Sequence, residues 1–280
     1  MIAPNVVAFL VFSFFPLLFL IYLSFTSWSL LGDRPWVGIR NFQEALGDEV
    51  FRITLVNTAS YTLMVVFPMT GLALFLAMLV NQRLTGIKLF RIAFFLPVVT
   101  SITVIAIIFR WILSSSADGP LNYVLGLVGI PPQLWILSVD QALPSLAVVA
   151  IWQSVGFYMV LWLAGLQSIP IEMYEAARMD GAGRLAMFRH ITLPLLKPTT
   201  IFIVLIGTIG ALQFFSSVWL LTGGGPIRAT YSVVYYIWEL AFHSDKMGYA
   251  SSIAMFLFAI ILAVALIQRR LLGWGREEIY

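Results

Sequence analysis

Few residues in this chain can carry covalent or acid–base chemistry. It has no cysteine and two histidines, His190 and His243, so neither a thiolate nucleophile nor a zinc–thiolate site can be built. No His-Glu-x-x-His helix and no Gly-x-x-x-x-Gly-Lys-Ser/Thr loop occurs, which excludes the familiar routes to metal-assisted hydrolysis and to ATP binding. Both histidines read as solvated or capping residues. What remains is non-covalent: polar and aromatic side chains inside otherwise apolar stretches. They form three groups, Gln213, Phe214, Ser216, Ser217 and Trp219; Trp152, Gln153, Ser154 and Tyr158; and Asn57, Ser60, Tyr61 and Thr62. An amide with a hydroxyl can bond the hydroxyls of a neutral solute, and an aromatic face can cover the C–H side of a ring. Polar residues in apolar spans are functional candidates on this ground. Residues 213, 216 and 217 are expected on one helical face at i, i+3, i+4 spacing. The competing reading is packing, since such residues also bond between helices and aromatics form interfacial belts.

The elements that must position these groups are dictated by composition. Of 280 residues, 61% are apolar, 15% aromatic and only 10% charged, against about 25% charged in an ordinary soluble domain. A water-soluble fold has nowhere to hide that much hydrocarbon. About 20 apolar residues at 1.5 Å rise cover the roughly 30 Å core of a bilayer, and six stretches qualify, near 3–28, 55–80, 92–113, 142–168, 199–221 and 249–268. Apart from Arg110 they hold no Asp, Glu, Lys or Arg, each of which costs roughly 2.5–3.5 kcal/mol at a helix centre. Backbone groups in lipid need internal partners, so the spans must be helices. The expected fold is all-α, a polytopic transmembrane bundle of six spans forming one domain over 1–280. The first span lacks a basic n-region and a cleavage site, and reads as a retained helix rather than a signal peptide.

Charge gives the orientation. Arg83, Lys88, Arg91, Arg178, Arg184, Arg189, Lys197, Arg269, Arg270 and Arg276 gather on one side, against Arg34, Arg40, Arg52, Arg110, Arg228 and Lys246 on the other. Asp33, Glu44, Asp48, Glu49, Asp118, Asp140, Glu239 and Asp245 fall on that second side, and Glu172, Glu175, Asp180, Glu277 and Glu278 on the first. By the positive-inside rule the first side, with both termini, is cytoplasmic. The segment before the first span carries no basic residue, an exception to that pattern. The net charge of +3 is spread over short loops and does not suggest nucleic acid as a partner. Outer loops at 29–54, 114–141 and 222–248 are long enough for short interfacial helices, with Pro131-Pro132 and Thr222-Gly223-Gly224-Gly225-Pro226 as breakers.

The inner loop 169–198 is the most informative. Pro170 stands at a helix start with Glu172 in the first turn, where the dipole favours an acid, predicting a helix to about Asp180. Gly181 and Gly183 allow a turn, and a second amphipathic stretch from Arg184 to His190 is expected to end near Pro194. Such a hairpin, with small residues at Ala176 and Ala177, is a knob that a partner's groove can hold; on physical grounds alone it could equally be a plain connector.

Glu175-Ala176-Ala177, Asp180-Gly181-Ala182, Phe188, Ile191, Leu193, Pro194 and Pro198 resemble the EAA signature of binding-protein-dependent ABC importer permeases. Leu221 to Pro226, Met247-Gly248-Tyr249-Ala250, Asn41-Phe42 and Leu96-Pro97 are similar to its carbohydrate branch, of the maltose-permease F and glycerophosphate-permease A type. The resemblance implies a type I importer permease in a bacterial or archaeal cytoplasmic membrane, paired with a second homologous permease and an ATPase dimer. An extracytoplasmic solute-binding protein would deliver a sugar. It implies no cofactor in this chain, since ATP and Mg would be bound by the ATPase subunits, and no catalytic residue. Glu175, Ala176, Ala177, Asp180, Gly181 and Ala182 would form the ATPase contact and its bend. The Gln213–Ser217 group would lie where the related maltose permease holds sugar. Because the spans lack charge, a neutral sugar or polyol is expected over the alternative, a glycerol-3-phosphate type of substrate. A proton- or sodium-coupled carrier is a weaker alternative, since neither a buried acid relay nor related halves with broken helices is visible in the sequence.

Overall fold

A computed structural model describes residues 3–29, 32–82 and 86–271. Arg83, Arg276, Glu277 and Glu278, which enter the charge argument above, lie outside the described residues. Among those described, structure is helical apart from one antiparallel bridge between Thr26 and Trp36. Four helices are long and apolar enough to cross a bilayer: α1 (Ala3–Ser24), α3 (Glu49–Val80), α7 (Ala142–Gln167) and α12 (Met247–Leu271). Between them lie α2 (Arg40–Gly47), α4 (Ile87–Val99), α5 (Ile102–Ile112), α6 (Pro120–Gly126), α8 (Ile171–Met179), α9 (Arg184–Leu195), α10 (Lys197–Leu212) and α11 (Val233–Phe242). Counting each bent pair as one span gives up to six.

Two of the six expected spans are broken. The stretch expected over 92–113 is α4 and α5, bent by 98°. Pro97 lacks the N–H that the ladder needs and the Thr100 side chain closes onto the Leu96 carbonyl at 2.9 Å, so the helix stops and restarts after two extended residues. The stretch expected over 199–221 is α10, ending at Leu212, followed after an irregular step by a π-type turn at Val218–Thr222. Non-helical backbone at membrane depth is tolerated only where protein buries it or where it lines a cavity. At the other extreme, α3 begins at Glu49 rather than near 55. Asp48 caps it, its Oδ1 accepting from the N–H of Val50 at 2.8 Å and of Phe51 at 3.2 Å, so the helix extends beyond the apolar run that hydropathy locates.

The core has three parts. Around α3 and α7, Tyr61, Val65, Met69, Leu146 and Phe214 pack toward one end, and Ala77, Met159, Trp162 and Leu196 toward the other. A third cluster, with Phe51, Tyr236, Tyr249 and Ile253, joins α11 and α12 to the start of α3. Small residues set the closest approaches: a Cβ on Gly156 of α7 would stand 1.9 Å from the Phe94 carbonyl oxygen of α4, and one on Gly248 of α12 would stand 1.9 Å from that of Thr26. The Met247-Gly248-Tyr249-Ala250 segment thus acquires a physical role. Gly248 admits the chain leaving α1 and donates its N–H to the Trp28 carbonyl at 3.1 Å, while Asn41 donates to the carbonyls of Ser24 at 2.9 Å and Thr26 at 2.8 Å.

Candidate functional site

The inner hairpin is built by a glycine-dependent cap. At the end of α8 the Ala182 N–H reaches the Ala177 carbonyl at 2.9 Å and the Gly181 N–H that of Arg178 at 3.0 Å. These are the 6→1 and 5→2 bonds of a Schellman motif, which needs its closing residue in the left-handed region. Gly181 occupies it, at φ +77°. Ala177 and Ala182 face each other across this cap, so three of the six expected contact residues first of all shape the bend. The Tyr174 and Thr192 hydroxyls, 3.0 Å apart, tie α8 to α9. The second stretch ends at Leu195, near Pro194 as the sequence suggests. A π-type turn over Phe188–Thr192 lets the Leu193 N–H reach the Phe188 carbonyl, so the proline is accommodated and the chain instead bends by 65° between α9 and α10.

This hairpin presents an unusual surface. Glu175, Ala176, Asp180 and Gly181 are exposed, Ala177 and Ala182 half-buried. Beside them stand Met179, 90% exposed, and Leu185, 79% exposed. Among the described residues Glu175 makes no ion pair. One turn thus carries an exposed carboxylate, small residues and long apolar side chains together.

The second group surrounds the break after α10. The α-helical ladder ends where the Gln213 N–H folds back to the Gly210 carbonyl at 3.3 Å. The expectation that 213, 216 and 217 share one continuous helical face is therefore corrected: 213 belongs to the closing turn and 216 and 217 to the next one. The physical cause is Phe214, whose buried ring stacks on Tyr61 with centroids 3.7 Å apart and planes 11° apart. Turning that ring inward needs the chain out of helical register. Gln213 and Ser216 nevertheless both remain exposed and Ser217 half-buried. The break thus holds an amide and a hydroxyl at an open surface, over a rigid aromatic floor.

The remaining candidates divide. Tyr158 is half-buried against α10, its hydroxyl 3.6 Å from a Cβ placed on Gly207, and Gln153 is half-buried on α7. Trp152 lies elsewhere, packed edge-on to Phe109 at 5.1 Å and lining a crevice of about 430 Å³ with Leu72, Phe94 and Pro97. That crevice is almost wholly apolar, so Trp152 is not brought to the Gln213 group. The Asn57 amide is committed to the outer loop, donating to the carbonyls of Arg228 at 2.9 Å and Tyr231 at 3.1 Å. Its role is to hold that loop against α3, not to offer those N–H groups to a solute.

Two features escape a reading of the sequence. Asp48 accepts from the Tyr236 hydroxyl at 2.5 Å and that of Tyr249 at 2.7 Å, besides capping α3. Burial raises its pKa, but the hydrogen bonds from both tyrosines and from two backbone N–H groups outweigh this and hold the carboxyl below its ordinary value. Its tyrosine partners are far away in sequence, 188 and 201 residues on. Near the break, Phe215, Trp219, Tyr235 and Trp238 form an aromatic cluster with centroids 5.5–6.2 Å apart. At its edge Tyr231 donates to Glu239 at 2.9 Å, and burial with that hydrogen bond and the nearby carboxylate pushes its pKa up to about 12.

Comparison with known proteins agrees with this architecture. Residues 69–272 match the family described as binding-protein-dependent transport system inner membrane component. The chain is 36% identical to the probable ABC transporter permease protein YurN of Bacillus subtilis (strain 168), over 96% of this chain and 94% of that protein. It is 34% identical to the arabinooligosaccharides transport system permease protein AraP of the same organism, over 99% and 88%. Against the trehalose/maltose transport system permease protein MalF of Thermococcus litoralis it is 31% identical, over 99% and 94%. Its fold superposes with a TM-score of 0.84, at 25% identity and over 98% of this chain and 94% of the other, on a chain from the crystal structure of a bacterial ABC transporter that imports the acidic polysaccharide alginate. This chain belongs to the binding-protein-dependent transport system inner membrane components, and is a multi-pass, non-catalytic permease subunit of an ABC importer.

Proposed function

We propose that this permease forms half of the import path for a neutral sugar, oligosaccharide or polyol that an extracytoplasmic binding protein delivers. A second homologous permease supplies the other half, and an ATPase dimer docks on the 169–198 loop at the cytoplasmic face, where both termini also lie. The solute passes the break after α10, with Gln213 and Ser216 as hydrogen-bonding groups. Phe214 serves this path indirectly, as the floor that fixes the break, and Ser217, Tyr158 and Gln153 stand behind it. The observation that carries the coupling role is the Schellman-capped hairpin, which projects Glu175, Ala176 and Asp180 beside the bare side chains of Met179 and Leu185. Relatives named for arabinooligosaccharides and for trehalose/maltose support a sugar.

ATP-dependent uptake by the assembled complex in vesicles, over a panel of neutral sugars and polyols, tests this reading. Glu175→Lys and Gly181→Asp are expected to abolish uptake and to lose the ATPase on co-purification while the two permeases stay paired. Uptake that survives in both variants, or proceeds without the ATPase, refutes it.

A further inference from the structure

The aromatic cluster beyond the break has no part in the path described so far, and its geometry is that of a binding wall. From Gln213 outward, the exposed residues of this segment follow at three-residue steps: Gln213, Ser216, then Trp219. Trp219 is 52% exposed although it is one of the largest side chains in the chain. It stands on the π-type turn Val218–Thr222, an irregularity often found at functional sites. Its indole is not loose. Phe215 stacks on it at 6.1 Å and 14°, Trp238 packs at 6.2 Å, and behind them the Tyr235 hydroxyl is pinned to the Gly223 carbonyl at 3.1 Å. A ring so braced offers one open face at little entropic cost.

The same ridge carries an exposed amide and hydroxyl next to irregular backbone, a combination that lipid disfavours. This argues that Trp219 faces the path rather than the acyl chains of an interfacial belt. Gln213 and Trp219 stand six residues apart, on either side of the break.

The geometry points to a second sugar position: Trp219, backed by Phe215 and Trp238, stacks on the ring adjacent to the one held at Gln213 and Ser216, so that the path is fitted to oligosaccharides rather than to single sugars. The inference rests on the path reading given under the proposed function and narrows its substrate class.

The test uses the whole complex and the sugar series that the uptake panel identifies, from the shortest to the longest oligomer imported, at saturating binding protein. Because the binding protein is the same throughout, the longest-to-shortest ratio of uptake rates isolates the permease. Trp219→Ala should lower that ratio by roughly three- to tenfold, the scale of one aromatic stacking contact, and Trp219→Phe should restore most of it. An equal loss at every length would make the indole a packing element, and no loss at any length would place it against lipid or protein; either result overturns the second position. Gln213→Ala separates this from failure of the underlying reading. If it slows every oligomer while Trp219→Ala leaves the ratio unchanged, the path stands and only the stacking position falls; if Gln213→Ala is silent at every length, the path itself is misplaced.

Discussion

Gly156 and Gly71 show how differently one residue type is used in this bundle. A methyl on Gly156 would meet backbone, the Phe94 carbonyl at 1.9 Å, whereas one on Gly71 would meet nothing within 4 Å. Backbone cannot rotate aside as a side chain can. Gly156→Ala should therefore push α4 from α7 and cost about 1–3 kcal/mol, the usual range for overpacking. Gly71→Ala, on an open face of α3, should be neutral or slightly stabilising. Thermal unfolding of the purified complex distinguishes the two, and equal melting temperatures would show that the α4–α7 contact is looser than described. Gly181 belongs to a third class: it has open space around it but a φ of +77°, so its constraint is conformational.

At the scale of elements, the N-terminal end of α3 is held by one carboxylate. Asp48 caps that helix and receives the hydroxyls of Tyr236 from α11 and Tyr249 from α12, so a single residue joins three elements. Its pKa lies below the ordinary 3.8 in the folded protein. A group depressed in this way contributes stability that is fully present above the unfolded value and is lost as pH falls through the folded one. The clamp should thus be intact at neutral pH and fail only below about pH 4, exposing the 222–248 loop to an acid protease such as pepsin. Tyr236→Phe with Tyr249→Phe should weaken the attachment already at pH 7, since hydrogen bonds to charged groups contribute about 1.5–3 kcal/mol each. Limited neutral proteolysis reads this directly, and unchanged cleavage in the double variant would mean that packing alone holds α11. The bends between α4 and α5 and after α10 are the element-scale counterpart: the first leaves Val99 and Ser101 exposed, the second turns Phe214 inward, and α5 packs against the π-type turn that follows the second break.

For the whole molecule, the proposed orientation rests on charge. The hairpin and the segments packed beside it carry Lys88, Arg91, Arg178, Arg184, Arg189 and Lys197. The end that carries the hairpin is proposed as cytoplasmic. Because the chain has no cysteine, single replacements report sidedness without background. Leu185→Cys, on the hairpin, should react with a membrane-impermeant maleimide only after the membrane is opened, whereas Ser244→Cys, between α11 and α12, should react in intact cells. The reverse pattern would invert the orientation. In the proposed assembly, partner subunits would meet both the exposed Gln213, Ser216 and Trp219 and the bare hairpin surface.

Composition and hydropathy alone determined that the chain is a helical membrane protein, because no water-soluble arrangement hides the side chains of a sequence in which 61% of residues are apolar. They located the six apolar stretches and, through Pro170, Gly181 and Gly183, the inner hairpin, since capping and turning depend on neighbours a few residues apart. Tertiary structure decided the rest. Hydropathy averages over a window and cannot separate a straight span from two helices bent by 98°, nor see that Phe214 leaves helical register to stack on Tyr61. Asn57 reads in sequence as a polar group in a span and proves to be a loop anchor, because its partners at 228 and 231 are distant along the chain. Trp152 and Gln213 likewise read alike, and only packing sends one to an apolar crevice and the other to an open break. Local rules fix what a segment can form; contacts between distant segments choose which of its polar groups are used up in holding the fold and which are left for a solute.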